Sequence, residues 1–223
     1  MKKESSILLI ICALAITSRA QITAVGVKAG ITMGLNKTYA FQAANYGVVL
    51  EDMQEFGRLN FGAMLEHNLF THYSLSHTVL LHQYYINYFV IQANSDLRYP
   101  TGAGVYTVTY TPLFRLVNKG GLRFLAGPGI DINSLSESPK PDTPDDGLNQ
   151  IVDQLQYNVK PVVYYIGTEL GYRAGRLELA LKFNYSLNSF AEPITFNGVT
   201  YGIPTRSAFF FLNIGFLVYN KKN

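Results

Sequence analysis

The stretch Arg176–Ser186, RLELALKFNYS, decides how this chain folds. Leu177, Leu179, Leu181, Phe183 and Tyr185 alternate strictly with Arg176, Glu178, Ala180, Lys182, Asn184 and Ser186. Successive side chains of a strand point to opposite faces, so this segment is a strand with one apolar and one polar face. Outward from it, the same period of two recurs in Val162–Arg173, Gly121–Asn133 and Val105–Leu116. Weaker versions occupy Ile22–Gly34, Asn60–Phe70, Ser74–Gln83 and Arg206–Tyr219. Together these predict an all-β chain of eight strands, each close to the ~9–11 residues that a tilted membrane-crossing strand needs.

The connections sort by length. Thr71-His72-Tyr73, Val117–Gly120 and Ala174-Gly175 read as tight turns, and they alternate with long links over about 35–59, 84–104, 133–160 and 187–205. Short turns at one end and long loops at the other are the pattern of outer-membrane barrels. An even strand number then places both ends of the barrel on the short-turn, periplasmic side. In the third long link, Pro139–Asp146 is acidic and proline-rich, which predicts irregular backbone. After it, Leu148, Ile151, Val152 and Leu155 fall at helical spacing, with Asp145 or Asp146 as N-cap. This short helix is expected to pack on the rim. Pro112 and Pro128 lie inside strands, where the missing N–H predicts bulges. Gly26, Gly30, Gly34, Gly127, Gly129, Gly167 and Gly171 share the polar face, where a narrow barrel needs small residues.

Lys28, Glu66, Arg115, Arg123, Glu169, Arg173, Glu178 and Lys182 all alternate with the apolar set. Two arrangements accommodate that: a secreted cup with an apolar inside, or a membrane barrel with an apolar outside. Tyr106, Tyr110, Phe114, Phe124, Tyr164, Tyr172, Phe183 and Tyr185 are too bulky to share the interior of eight strands, so the charges are assigned inward, where both signs can pair. A filled interior argues against a pore.

The first twenty residues follow a different logic. Lys2 and Lys3 precede an apolar run from Ile7 to Ile16, which leads to Ser18-Arg19-Ala20. About ten apolar residues are too few to span a bilayer, and small residues at both recognition positions predict a signal peptide cut after Ala20. Residues 1–20 are therefore read as the signal and 21–223 as one barrel domain. The cut removes Cys12, the single cysteine, and lowers the formal charge from +3 to about +1. Near-neutrality gives no reason to expect nucleic acid as a partner.

Ile22–Leu35, Tyr110-Thr111-Pro112-Leu113, Leu122–Ile132 (LRFLAGPGIDI), Gly167–Tyr185 (GTELGYRAGRLELALKFNY) and Leu212–Phe216 also resemble the PorT-like family of outer-membrane β-barrel proteins. The resemblance covers most of residues 21–223. Its most specific parts are the proline of the fourth strand, the A-G-P sequence of the fifth and the G-Y-R-x-G-x-L hairpin. It implies an up-and-down transmembrane β-barrel in a bacterial outer membrane, and a link to protein secretion for the member that gives the family its name. It carries over no catalytic residue.

Candidate chemistry is sparse. The histidines fall five apart, at 67, 72, 77 and 82, and a hairpin turning at Thr71–Tyr73 would set His67 opposite His77. Two imidazoles on one face can ligate a metal, but no cysteine or convergent carboxylate completes a set. His82 shares a parity with Ser76 and Thr78, which raises a lipid-modifying hydrolase, and again no motif supplies the acid. The expectation is no catalytic, cofactor or metal site. The partners expected are outer-membrane lipid and lipopolysaccharide, and envelope or secretion proteins, for a monomeric non-enzymatic barrel. A lipid-modifying enzyme and a small solute-binding or transport barrel are the alternatives.

Overall fold

A computed structural model describes residues 21–36, 38–51, 55–70, 73–92, 97–136 and 145–221. The expected signal segment, Thr71-His72 and most of the proline-rich run lie outside the described residues.

The period of two becomes a ring of eight antiparallel strands. These are β1 (Gln21–Asn36), β4 (Glu55–Phe70), β5 (Tyr73–Gln92), β6 (Arg98–Lys119), β7 (Leu122–Leu135), β8 (Val162–Ala174), β9 (Leu177–Ser186) and β12 (Ser207–Asn220). Each pairs with the next, and β1 pairs with β12, so the sheet returns to its start. At the short-turn end, Gly120 and Gly121 take φ of 61° and 86°, and Gly175 takes 61°. Glycine reaches this left-handed region without steric cost, which lets the strands reverse in two residues.

The charged face points inward, as the alternation predicts. Glu178, Ala180, Lys182, Asn184 and Ser186 are buried, whereas Leu177, Leu179, Leu181 and Tyr185 are exposed. Tyr106, Phe114, Tyr164 and Tyr172 are likewise on the outside.

Three expectations about the ring itself need correction. The link 84–104 is mostly strand, because β5 and β6 stay paired from Leu75–Phe114 up to Ile91–Arg98. Pro112 and Pro128 produce no bulge. They oppose each other across β6 and β7, where pairing lapses between Tyr110–Ile130 and Phe114–Ala126 with the register unchanged. Two missing donors in one gap cost less than two separate breaks in the ladder. A Cβ on Gly127 would meet the Pro112 carbonyl oxygen at 2.1 Å, so the backbones approach closely there. The third correction concerns the interior, which is not charged throughout. Toward the long links it holds Tyr84, Ile86, Tyr88, Val90, Phe209 and Phe211 in an apolar cluster.

The long links build that apolar end. The hairpin β2 (Tyr39–Ala43) and β3 (Tyr46–Leu50) adds to the outer half of β5, and β10 (Ile194–Phe196) pairs with β11 (Val199–Tyr201). The predicted helix, α1 (Asp146–Gln156), forms with Asp145 as N-cap, its carboxylate accepting from the N–H groups of Gly147 and Leu148 at 2.8 and 3.2 Å. The carboxylate satisfies first-turn donors that have no partner inside the helix. Leu148, Ile151, Val152 and Leu155 are fully buried and join the same cluster as Tyr88, Phe190 and Phe196, so α1 covers the ring instead of resting on its rim. The Gln154 side chain clamps Thr195 of β10, donating to its carbonyl at 2.6 Å and accepting from its N–H at 2.7 Å. The Tyr46 hydroxyl donates to Asp145 at 2.7 Å. That bond holds the Asp145 carboxyl below the usual carboxylate range. Burial first, and Asp145 second, push Tyr46 up to about 12.

β5 shows the two halves meeting. Its inward residues run Ser74, Ser76, Thr78, Leu80 and His82, then Tyr84, Ile86, Tyr88 and Val90. Its outward residues run Leu75, His77, Val79 and Leu81, then Gln83, Tyr85 and Asn87. The polarity of the two faces inverts near residues 82–84.

Candidate functional site

The densest chemistry lies inside the ring near the short turns. Glu66 on β4 accepts from Arg115 of β6 at 2.9 Å, from Arg173 of β8 at 2.8 Å and from Arg123 of β7. Glu178 on β9 accepts from Arg173 at 2.5 Å and from Arg123, and forms an ion pair with Lys28 of β1 at 3.0 Å. Lys28 also meets Glu169 at 3.0 Å. Register makes room for these long side chains. Arg123 lies opposite Gly171, and Lys28 lies opposite Gly62 and Gly215. The cluster therefore joins six strands of the ring, five through guanidinium forks, whose fixed planar donors suit carboxylates, and β1 through the Lys28 ammonium.

A second polar layer follows. The Lys182 ammonium and the Tyr165 hydroxyl both reach Thr111 Oγ1, and Thr109 donates to Asp131 at 2.6 Å. A Cβ on Gly129 would fall 2.2–2.4 Å from the Tyr165 ring, so the absent side chain gives this tyrosine its place. His82 contacts Thr109 Oγ1 at 3.0 Å and packs against Phe209 and Phe211. Beyond it begins the apolar cluster under α1.

The structure separates the residues raised for hydrolysis. Ser76, Thr78 and His82 all point inward on β5, but four to six residues of strand put His82 about 13–20 Å from the two hydroxyls. The acid near His82 is Asp131, reached through Thr109, and the whole set is buried. His67 and His77 are not directly opposed, since His67 pairs with Leu75 and His77 with Leu65. Their rings stack on the outer face at 5.0 Å, and His77 Nδ1 and the Tyr110 hydroxyl are hydrogen-bonded at 2.7 Å. His72 lies outside the described residues. Among the described residues, no three His, Cys, Asp or Glu side chains converge as metal ligands would.

The charged residues of the cluster were legible as an inward set, but their grouping at one end was not. The signal was present in the spacing: Glu66, Arg115, Arg123, Arg173 and Glu178 all lie within a few residues of a short turn. The sequence pattern does not identify the interior aromatics Tyr84, Tyr88, Tyr165, Phe209 and Phe211: the first two fall in a stretch that reads as a long link, and the others share strands whose inward face is read as polar.

No protein-family model matches this chain, and no curated protein matches it.

Proposed function

We propose that this chain is an eight-stranded transmembrane β-barrel of a bacterial outer membrane, working as a non-enzymatic envelope component that meets protein partners with its capped end. The observation that carries this reading is the outward apolar belt. Ile31, Phe61, Leu81, Val108, Ile132, Ile166, Leu181 and Ile214 are 37–64 % exposed on all eight ring strands, while lysines and glutamates beneath them are buried. Water penalises that arrangement and lipid rewards it. On β12 the outward set from Ala208 to Val218 runs about 33 Å along the strand, or about 25 Å of height at the 35–45° tilt of such barrels. The inversion on β5 near residues 82–84 fits a strand leaving the hydrocarbon. Above that level apolar groups turn inward, as in a protein surrounded by water.

The apolar cluster under α1 supports a plugged barrel over a channel. A cap clamped by Asp145 and Gln154 is a preformed surface for a partner, and preformed surfaces lose less entropy on binding. The resemblance to PorT-like barrels agrees with this location and with a role in the envelope or in secretion. The test is crosslinking in intact cells followed by mass spectrometry, with membrane fractionation alongside. Specific envelope proteins joined to residues 39–50, 146–156 or 190–201 are the expected result. Recovery of lipid and lipopolysaccharide alone would overturn the partner role, and steady conductance in planar bilayers would overturn the plug.

A further inference from the structure

At the short-turn end the ring opens into a cavity of about 530 Å³, lined by Arg115, Arg123, Arg173, Lys221, Glu66 and Thr23 among others. Charge does not balance there. Among the described residues, Lys28, Arg115, Arg123 and Arg173 stand against Glu66, Glu169 and Glu178, and Lys221 adds a further cation at the rim. Higher in the ring, Lys182 and Asp131 contribute one charge of each sign and leave the excess in place.

Hydrogen bonding is unbalanced in the same direction. Glu66 already accepts from three guanidiniums and Glu178 from two, while Glu178 Oε1 has the Lys28 ammonium at 3.0 Å as an ion pair but no hydrogen-bond donor among the described residues. Yet Nε of Arg115, Nε of Arg123 and the Thr23 hydroxyl are buried with no partner among the described residues. All three belong to residues lining this one cavity. Arg123 is only 2 % exposed, so bulk water is a poor substitute partner. A protein interior disfavours both the surplus charge and the unmet donors.

The backbone is reshaped around the same opening. Four of the five register shifts among the described ring strands, at Ile22/Ala24, Val25/Gly26, Asn68/Phe70 and Arg115/Val117, fall near the short turns, and the fifth, at Thr32/Gly34, lies toward the long links. The first of these leaves Thr23 out of the β1–β4 pairing and beside the cavity. Bulges of this kind re-aim side chains and gather next to binding sites.

We propose that this mouth binds an oxyanion, a carboxylate or phosphate group, drawn by its surplus of cations and held by Arg115, Arg123 and Arg173 with Thr23 and Lys221 around it. Guanidinium donors and a cavity of this size suit a small polyanion or the charged end of a longer molecule. The site requires the ring to be folded but does not depend on where the ring resides.

The test uses the full chain folded in nonionic detergent and titrated calorimetrically at constant ionic strength. The probes are inorganic phosphate, citrate, and an acetylated dipeptide with a free carboxyl end beside its amidated twin. Saturable binding is expected for at least one anion, and binding of the free but not the amidated dipeptide would identify a chain end as the source. Arg115→Gln should weaken binding about tenfold, the worth of one charged hydrogen bond. Lys221→Gln should weaken it a few-fold, while Arg206→Gln, at the opposite end, should leave it unchanged. A heat-dependent shift in gel mobility verifies folding, and Lys221→Gln decides the matter if Arg115→Gln fails to fold. Absence of saturable heat with every probe up to about 10 mM, weaker than ordinary ligand affinities, overturns the proposal. So does equal loss with Arg206→Gln. Insertion into vesicles, measured separately, shows whether the membrane reading stands when the anion reading falls.

Discussion

Replacing Glu66 by Gln removes one negative charge and keeps the shape of the side chain. In the native ring Glu66 is fully buried and meets Arg115, Arg123 and Arg173. After the change, Glu178 alone faces Arg123 and Arg173, and Arg115 loses its carboxylate. Breaking a buried ion pair by removing one partner costs about 3–5 kcal/mol, because a charge is left buried without compensation. The Arg115 and Arg173 side chains keep 17 % and 14 % exposure, so water relieves part of the loss. The expected cost is therefore near the lower end, about 3 kcal/mol. With urea slopes of about 1–3 kcal/mol per molar, the unfolding midpoint should fall by about 1–3 M. The chain has no tryptophan, so the transition is followed by far-ultraviolet circular dichroism or by the gel mobility of unheated samples. Glu192→Gln, on an exposed loop residue, serves as control. Adding Arg115→Gln to Glu66→Gln should recover part of the stability, since it removes a surplus cation. A midpoint equal to that of the control, or additive effects in the double variant, would refute the view that Glu66 holds three strands against mutual repulsion.

Other expectations follow from the same geometry. Ile151→Ala should open a cavity in the apolar cluster and cost about 2–5 kcal/mol, read as faster proteolysis around α1 while the ring resists. The Asp145–Tyr46 contact should give the cap a plateau of stability against pH. Asp145 titrates lower in the folded state than unfolded, so its contribution is present above the ordinary carboxylate range, about pH 4, and lost as pH falls through the lowered value. Tyr46 titrates higher when folded, so stability falls from its ordinary value near pH 10 up to about 12. Hydrogen exchange at α1 across this range tests both limbs, and Tyr46→Phe should abolish the alkaline one. Leu181→Arg places a charge in the middle of the outward belt, and should cost roughly 2–4 kcal/mol in bilayers. Unchanged refolding into vesicles would count against a lipid-facing surface.

The ring strands were legible because alternation is a local signal that burial then enforces. Leu177 to Ser186 could only sit with Glu178 and Lys182 on one side and Leu179 and Leu181 on the other. The helix was legible too, since Leu148, Ile151, Val152 and Leu155 repeat at the helical period behind a capping aspartate. The inversion along β5 was harder to read. Tyr84, Ile86 and Tyr88 continue the inward parity of Ser76 and Thr78, but change of polarity disguises the continuity and the pattern reads as a loop. The proline effect was not legible either, because whether Pro112 needs a bulge depends on Pro128 standing opposite, and pairing partners are not written in one strand. The mouth lies at the same limit. Its residues were identified one by one as inward, yet the surplus of cations becomes visible only when six strands bring them together.

The pairing of β1 with β12 has a consequence for how this molecule comes into being. The seam joins Asn36 to Ser207 and Ala24 to Asn220, so the first strand waits for the last. Until residues 207–220 arrive, β1 and β9 each present an unsatisfied edge, and no shorter product can seal itself. Contacts of such long range form slowly, leaving the apolar belt and both edges open to chance encounters in the meantime. A chain built this way stays open until its last strand is in place, and a clipped chain lacking β12 should aggregate and not merely lose stability.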